Sequence, residues 1–378
     1  MMPSTSLIIL GGGLAGGLVA LALAERRPDV AVTIVEADET IGGNHVWSFF
    51  ESDVAASERA LLEPLIVHRW PAYDVRFPAH RRTIDQVYQS IRSDRFDKVV
   101  RAALPEAAVV RGFVTEAGPK SVKLEDGRTL TADAMLDTRG GGDLSALVCG
   151  WQKFVGHSFH LDEPHGLIRP VIMDATVDQA EGYRFVYLLP FGPSEIFVED
   201  TYYSDTPDLD VPALAARVAV YAESQGWRVA APNHVETGVL PVLMDGDFDR
   251  FWPADDPVAR AGVRAGLIHP LSSYSLPDAV RFAAWYAAQP DLAAADTRAY
   301  AKRHWQQGSF YRILSRLLFR AAEPSARYCV LQRFYTLSGP LISRFYSGQS
   351  TLLDRFRILA GKPPVPIHRA IRAILETQ

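Results

Sequence analysis

Residues 6–36 read SLIILGGGLAGGLVALALAERRPDVAVTIVE, and what this stretch becomes decides the rest of the fold. Residues 7–24 are eighteen positions without a charge, at the lower edge of membrane-spanning length. They also resemble a signal-peptide core, but no Lys or Arg precedes them and no small-residue cleavage site closes them. Five glycines within the run favour a strand, a tight turn and a helix instead. Residues 6–10 are apolar and end at glycine, the pattern of a short buried strand. Gly11, Gly13 and Gly16 then form G-x-G-x-x-G around Leu14 and Ala15, followed by the helix-like LVALALAERR. The β-branched run VAVTIVE closes the unit at Glu36, twenty residues after Gly16. Together these are the parts of a dinucleotide-binding unit. The glycines permit a tight turn and close approach of a pyrophosphate, the helix amino terminus attracts its charge, and Glu36 is placed to hold a ribose hydroxyl pair.

The rest of the composition is that of an ordinary globular chain. Its 378 residues are enough for two or three domains or one large domain with insertions. A formal charge of −5 carries no basic excess that would call for nucleic acid. Cys149 and Cys329 are the only cysteines, which excludes a disulfide framework or a Cys-rich metal site and suits a reducing cytoplasm.

Beyond Glu36 a second glycine pair, Gly42-Gly43, stands in IGGNHVWSF (41–49). This resembles the FAD-binding branch of the dinucleotide fold, in which the chain continues past the cofactor, and makes Gly43, Asn44 and His45 expected cofactor contacts. ADAMLDTRGGG (132–142) reads as a strand delivering Asp137, Arg139 and Gly140 to a loop. VRAGLIHPLSSYSLPDAVRFA (263–283) reads as strand, loop and helix, with Gly266 early in it and Pro270, Tyr274 and Ser275 at the helix entry. It resembles the flavoprotein segment whose helix amino terminus faces the flavin ring, although flavoproteins usually carry glycine where this chain has Ser273. No second complete G-x-G-x-x-G follows, so FAD rather than a separate NAD(P)H domain is expected.

From about 151 to 235 helical periodicity weakens. PHGLIRPVIMDAT (164–176) and GYRFVYLLPFGPSEIFVEDTYYSD (182–205) are rich in β-branched and aromatic residues, and residues 190–194 read as a hairpin loop. The expected architecture is α/β. A Rossmann-like FAD-binding domain (1–150, returning at 236–290) carries an inserted antiparallel β-sheet substrate domain (151–235) and a helical carboxy-terminal region (291–378). Within IFVEDTYYSD (196–205), Glu199 and Asp200 follow an apolar strand directly. Strand alternation puts Phe197, Glu199, Thr201 and Tyr203 on one face and Asp200 on the other, so only one of the two acids meets a given cavity. Asp174, at the end of PVIMD, is a further candidate cavity acid.

With these segments placed, the chain from about 6 to 366 resembles the bacterial FAD-dependent lycopene β-cyclase family. GGNHVWSF (42–49), HRWPAYDVRFP (68–78), IMDATVDQAEGYRFVYLLP (172–190), FVEDT (197–201), RAGLIHP and SYSLP (264–277) and ILAGKPPVP (358–366) carry the likeness. FVEDT matches the family's glutamate-rich motif, with Asp200 in place of a second glutamate. The resemblance implies that linear lycopene is closed into β-ionone rings through γ-carotene, by protonation of a terminal double bond, ring closure and loss of a ring proton. It implies Glu199 as the essential acid, and reduced FAD as a cofactor of a reaction with no net redox change, with NAD(P)H as the electron source. A flavin-dependent monooxygenase or reductase acting on an isoprenoid, and a polyene-binding protein, share much of this pattern.

Residues 291–378 read as mostly helical. In RHWQQGSFYRILSRLLFRAA (303–322), Arg312, Arg316 and Arg320 recur every four residues beside an apolar cluster. Such a helix suits either an anionic membrane surface or core packing with its arginines in water. A bilayer-dissolved substrate favours the first, so the expectation is a cytoplasmic protein peripherally associated with the membrane.

Overall fold

In the computed structural model of the chain, which describes residues 5–179, 182–361 and 364–375, the glycine-rich opening is strand, turn and helix. The strand Thr5–Leu10 is central in a five-stranded parallel sheet. Its neighbours are Val30–Glu36 on one side, with Val109–Arg111 beyond, and Ala134–Asp137 on the other, with the short Ala259–Arg260 at the edge. Leu7 sits between Val32 and Ala134, and the apolar side chains on both sheet faces are buried, as a parallel sheet covered on both sides requires. The helix Leu14–Arg26 is buried over most of its length because it packs against the sheet, the helix Ser93–Ala103 and the helix Leu276–Ala287. Gly16 makes this possible: a Cβ there would stand 2.2 Å from the Gly11 carbonyl oxygen and 2.6 Å from Thr138 Oγ1. Residues 7–24 are therefore not a membrane span, and among the described residues no helix is long and apolar enough to cross a membrane.

A second sheet has seven strands, in the order His234–Gly246, Leu147–His160, Glu195–Ser204, Arg184–Pro190, Val171–Asp174, Tyr73–Phe77 and His80–Ile84. All neighbours are antiparallel except Val171–Asp174 and Tyr73–Phe77, which run parallel. The hairpin read across residues 190–194 is present, with Pro190 opposite Ile196. The sheet is wider than residues 151–235, because it recruits Tyr73–Phe77 and His80–Ile84 from earlier in the chain and ends on His234–Gly246.

Residues 263–269 do not form the expected strand. The returning strand is only Ala259–Arg260, and the chain then tightens into a 3-10 turn, Gly262–Ala265, that Gly266 ends in the left-handed region at φ 70°. The carboxy-terminal region is helical, but the arginine-striped segment is mostly packed: Arg312 and Arg316 are half-buried and Arg320 is exposed. The helix Ser309–Arg316 lies between the strand His234–Gly246 and the helix Ile367–Leu375, with Phe310, Tyr311, Leu318 and Phe319 buried. Arg312 stacks 3.9 Å from the Trp305 ring centroid, and Arg316 donates to Asp245 at 2.7 Å. Among the described residues of this carboxy-terminal region, the large apolar side chains left exposed belong to Leu352–Leu359 and Ile367–Leu375. Lys362 and Pro363, in the ILAGKPPVP stretch, lie outside the described residues.

Candidate functional site

A cavity of about 510 Å³ runs between the two sheets. At one end it meets Gly13, Leu14 and Ala15, the first turn of the helix that follows the glycine-rich loop, together with Thr138, Gly140 and Gly141. The cap residue Gly13 is extended and offers no side chain to the helix's first amides. A Cβ on Gly13 would meet nothing within 4 Å, so the space in front of those amides is open. Unpaired amides and the positive end of a helix dipole make an anion cradle, and this one fits the pyrophosphate of a dinucleotide.

The loop before the helix is held by its own glycines and by Glu36. Gly11 adopts φ 94°, a conformation that strains any residue with a Cβ. Glu36 accepts hydrogen bonds from the amides of Gly12 (2.6 Å), Ala37 (2.7 Å) and Asp38 (3.0 Å), which fixes its carboxylate beside the loop at the end of the second strand. Gly42 donates to the Gly12 carbonyl at 3.0 Å, so the second glycine pair docks directly on the first loop.

The remaining expected contacts divide into those the fold brings to the cavity and those it does not. His45, Gly140, Tyr274 and Ser275 line it. Tyr274 donates to the Ser48 carbonyl at 2.6 Å, and Ser275 is the cap of the helix Leu276–Ala287. Ser273, where glycine was noted as usual, is the lone non-glycine residue with positive φ among those described (57°), held by donation from its Oγ to the Pro241 carbonyl at 2.7 Å. Gly11, Gly16, Glu36, Gly43 and Asn44 stand behind or beside the cavity wall rather than on it. Asn44 instead donates to the Val235 carbonyl at 2.7 Å. Arg139 is held by Asp137 (2.7 and 2.9 Å), which Arg264 also reaches at 2.8 Å, so its guanidinium is turned away from the cavity. Pro270 accepts from the Leu243 amide at 2.8 Å and Gly266 packs near Phe251; both are structural neighbours of the site, not walls of it.

At the other end the cavity is floored by one face of the large sheet. Glu195–Ser204 pairs with both neighbours without a register shift, so alternation holds along it. Phe197, Glu199 and Tyr203 face the cavity, with Phe185, Tyr187 and Leu189 from the next strand and Trp47 from the separate strand Val46–Phe50. Glu199 touches the void with one edge, and its carboxyl accepts a hydrogen bond from Thr201 Oγ1 at 2.6 Å. Burial, reinforced by the negative charge of Glu236, pushes its pKa up to about 8 against the opposing Thr201 hydrogen bond. A carboxyl group that stays protonated at neutral pH against aromatic and aliphatic walls is able to donate a proton to an apolar substrate.

Asp200 and Asp174 do not share this cavity. Asp174, Val186 and Asp200 form one row across three strands on the opposite face, which the helix Val211–Ser224 covers. Asp200 is fully buried and bound by the Arg184 guanidinium, with Nε to Oδ2 at 2.9 Å. Asp174 accepts from Tyr221 (2.8 Å), Arg76 (3.3 Å) and the Thr176 amide (3.1 Å). The pleat turns both acids away from the void.

Glu236 is the cavity residue that sequence reading passed over. It lies at the start of His234–Gly246, and its carboxylate accepts from the His45 ring at Nδ1 (2.9 Å) and from the Val46 amide (3.0 Å). An acid in an alternating strand was the available signal, but Glu236 belongs to a segment read as part of the nucleotide domain. Among the described residues no cluster of His, Cys, Asp and Glu has the arrangement to hold a metal ion.

The chain is similar to known proteins over nearly its whole length. The family model described as lycopene cyclase protein matches residues 6–372. A lycopene β-cyclase of Pseudescherichia vulneris is 45% identical over 98% of this chain and 97% of its own length. One of Pantoea ananas is 43% identical over the full length of both. Among solved structures, a geranylgeranyl bacteriochlorophyll reductase-like protein from Thermoplasma acidophilum aligns over 100% of this chain and 97% of its own, at TM-score 0.60 and 14% identity. Klebsiella pneumoniae HpxO, complexed with FAD and uric acid, aligns over 92% and 97% at TM-score 0.66 and 13% identity, a likeness of fold.

Proposed function

Because this chain belongs to the lycopene cyclase family, we propose that it is a lycopene β-cyclase, an intramolecular lyase that closes the ends of linear lycopene through γ-carotene to β-carotene. The observation that carries the reading is a carboxyl, Glu199, whose burial raises its pKa, facing an aromatic cavity that is continuous with the glycine-rich cradle.

Glu199 donates its proton to the terminal double bond, leaving a tertiary cation that the internal double bond attacks. Thr201 Oγ1 occupies Glu199 Oε1 and leaves the other carboxyl oxygen to carry the proton. Phe197, Tyr203 and Trp47 line the path, where ring faces stabilise a passing cation and exclude the water that would otherwise trap it. The cradle amides of Gly13, Leu14 and Ala15 would hold the pyrophosphate of FAD, Glu36 would stand at its ribose, and His45, Gly140, Tyr274 and Ser275 would follow it along the cavity. When bound in its reduced form, with NAD(P)H as the electron source, FAD supplies negative charge that favours cationic species beside it.

Peripheral attachment to an anionic membrane belongs to the same reading, through a different surface from the arginine-striped helix. Leu352, Leu353, Phe356, Ile367 and Ile371 are each more than half exposed. Residues 351–378 carry five basic against two acidic side chains in a chain whose net charge is −5. The Arg344–Asp354 ion pair (2.7 Å) ties this surface to the helix Gly339–Tyr346, whose Phe345 and Tyr346 line the cavity. Amphipathic apolar residues flanked by basic ones suit a headgroup boundary.

The deciding experiment is anaerobic incubation of the purified protein with lycopene in liposomes, FAD and a reductant, with chromatographic separation of the products. Ring-closed isomers formed without net NAD(P)H consumption support the reading. Hydroxylated or reduced products would replace it with a flavin-dependent monooxygenase or reductase.

A further inference from the structure

The large sheet places two acids, not one, on the cavity face. Gly156 on the strand Leu147–His160 pairs with Glu199 on one side and with Glu236 on the other. The two glutamates therefore stand in one row two strands apart, about 10 Å between Cα atoms from ordinary strand spacing. Gly156, between them, has no side chain, and the Phe197 ring fills its place, 2.2 Å from where a Cβ would be. The cavity floor thus reads acid, aromatic ring, acid.

The surroundings of the two carboxyl groups differ in kind. Glu199 has the Thr201 hydroxyl as its hydrogen-bond partner and, among the described residues, no ion pair. Glu236 accepts one hydrogen bond at each oxygen, from the His45 ring and the Val46 amide. The side chain of Glu236 is 4% exposed whereas that of His45 is 41% exposed, so the pair spans from the cavity to solvent. Two carboxyls set in contrasting environments on either side of a reacting centre are the arrangement that acid and base roles require.

We propose that Glu236, backed by His45, is the proton acceptor that completes the ring, distinct from Glu199, the donor that starts it. The inference rests on the cyclase reading above. The proton leaves Glu199 for a terminal alkene carbon and a carbon–carbon bond closes the ring. The hydrogen on the ring carbon next to the resulting cation then passes to Glu236 as its electron pair forms the ring double bond. Glu236 hands the proton to His45 and so to solvent, and Glu199 regains one, so the cycle is balanced without an oxidant or reductant. Because several neighbouring carbons of the cation carry hydrogens, the position of the base also selects which ring isomer forms.

The test uses the FAD-loaded full-length protein with lycopene in liposomes, after wild type has been shown to cyclise it; failure of wild type would sink the cyclase reading, not this one. Glu236→Gln is expected to lower turnover about 10²–10⁴-fold, the range of a lost general base. Its residual product should include ring isomers that lost a proton from a different carbon. Lycopene deuterated at the carbon that loses its hydrogen should show a larger isotope effect in Glu236→Gln than in wild type. Glu236→Asp, which keeps a carboxylate, should restore the wild-type isomer and part of the rate, and His45→Gln should slow turnover without changing the isomer. Wild-type isomer composition and isotope effect in Glu236→Gln would overturn the assignment. So would a loss of activity that merely tracks loss of bound FAD, since that marks Glu236 as a clamp for residues 44–46.

Discussion

Replacing Glu199 with Gln separates the acid's chemical role from its cost to the fold. In the folded protein this carboxyl keeps its proton up to about pH 8, whereas its ordinary pKa is 4.5. Folding therefore favours the protonated form, and the contribution to stability is full below pH 4.5 and lost progressively as pH rises through 8. A displacement of that size corresponds to at most about 5 kcal/mol, reduced in practice to a few kcal/mol because one edge of the residue touches the cavity. Glutamine has nearly the same shape and cannot ionise. Glu199→Gln should thus match wild type in unfolding free energy near pH 4.5 and exceed it by a few kcal/mol at pH 8 and above. Turnover should move the other way, falling about 10²–10⁴-fold for loss of a general acid, while FAD remains bound. Wild-type turnover should decline about tenfold per pH unit above 8, as the acid ionises. Denaturant unfolding across this pH range, with product analysis at each pH, measures both. Parallel stability curves for the two proteins, or normal cyclisation by the variant, would refute the reasoning.

Gly16→Ala should abolish nucleotide binding and lower stability, because its methyl group would stand 2.2 Å from the Gly11 carbonyl oxygen; flavin fluorescence after gel filtration and a thermal melt report both. Arg184→Met removes the guanidinium from buried Asp200 and should cost about 3–5 kcal/mol, with turnover per folded, FAD-loaded molecule unchanged. An equal fall in that per-molecule turnover would return Asp200 to the catalytic machinery. Leu353→Glu with Phe356→Glu should lose most binding to anionic vesicles in a flotation assay while keeping cyclisation of detergent-dispersed lycopene, whereas Arg312→Gln, whose side chain is stacked on Trp305, should leave flotation intact.

The nucleotide half was legible because its determinants are local. Strand, glycine turn, helix and terminal acid follow one another within residues 6–36, and the φ of 94° at Gly11 and the 2.2 Å approach of Gly16 to the Gly11 carbonyl oxygen arise within that same stretch. Alternation along residues 196–205 was equally local, and it separated Glu199 from Asp200 before any partner strand was known. Where the expectation and the structure differ, the deciding partners include residues distant in sequence, Asp245 for Arg316 and Arg264 for the Asp137–Arg139 pair. Arg312 and Arg316 looked like a solvent stripe until Trp305 and Asp245 took them up, and the helix Ile367–Leu375 closed over their neighbourhood. Arg139 looked like a cofactor ligand until Asp137 and Arg264 formed a cluster with it. The expected strand after Val263 is replaced by a 3-10 turn that ends at Gly266 and packs against the helix Leu14–Arg26.

By itself, then, the order of residues determined that a dinucleotide cradle forms and that one acid of the Glu199–Asp200 pair faces away from the other, because periodicity and glycine geometry act over a few residues. Tertiary structure decided which face of that strand meets the cavity, because the helix Val211–Ser224 and Arg184 cover the Asp200 face. It also decided that Glu236, 37 positions from Glu199, joins it across Gly156, since strand pairing brings together residues whose separation along the chain carries no signal of contact.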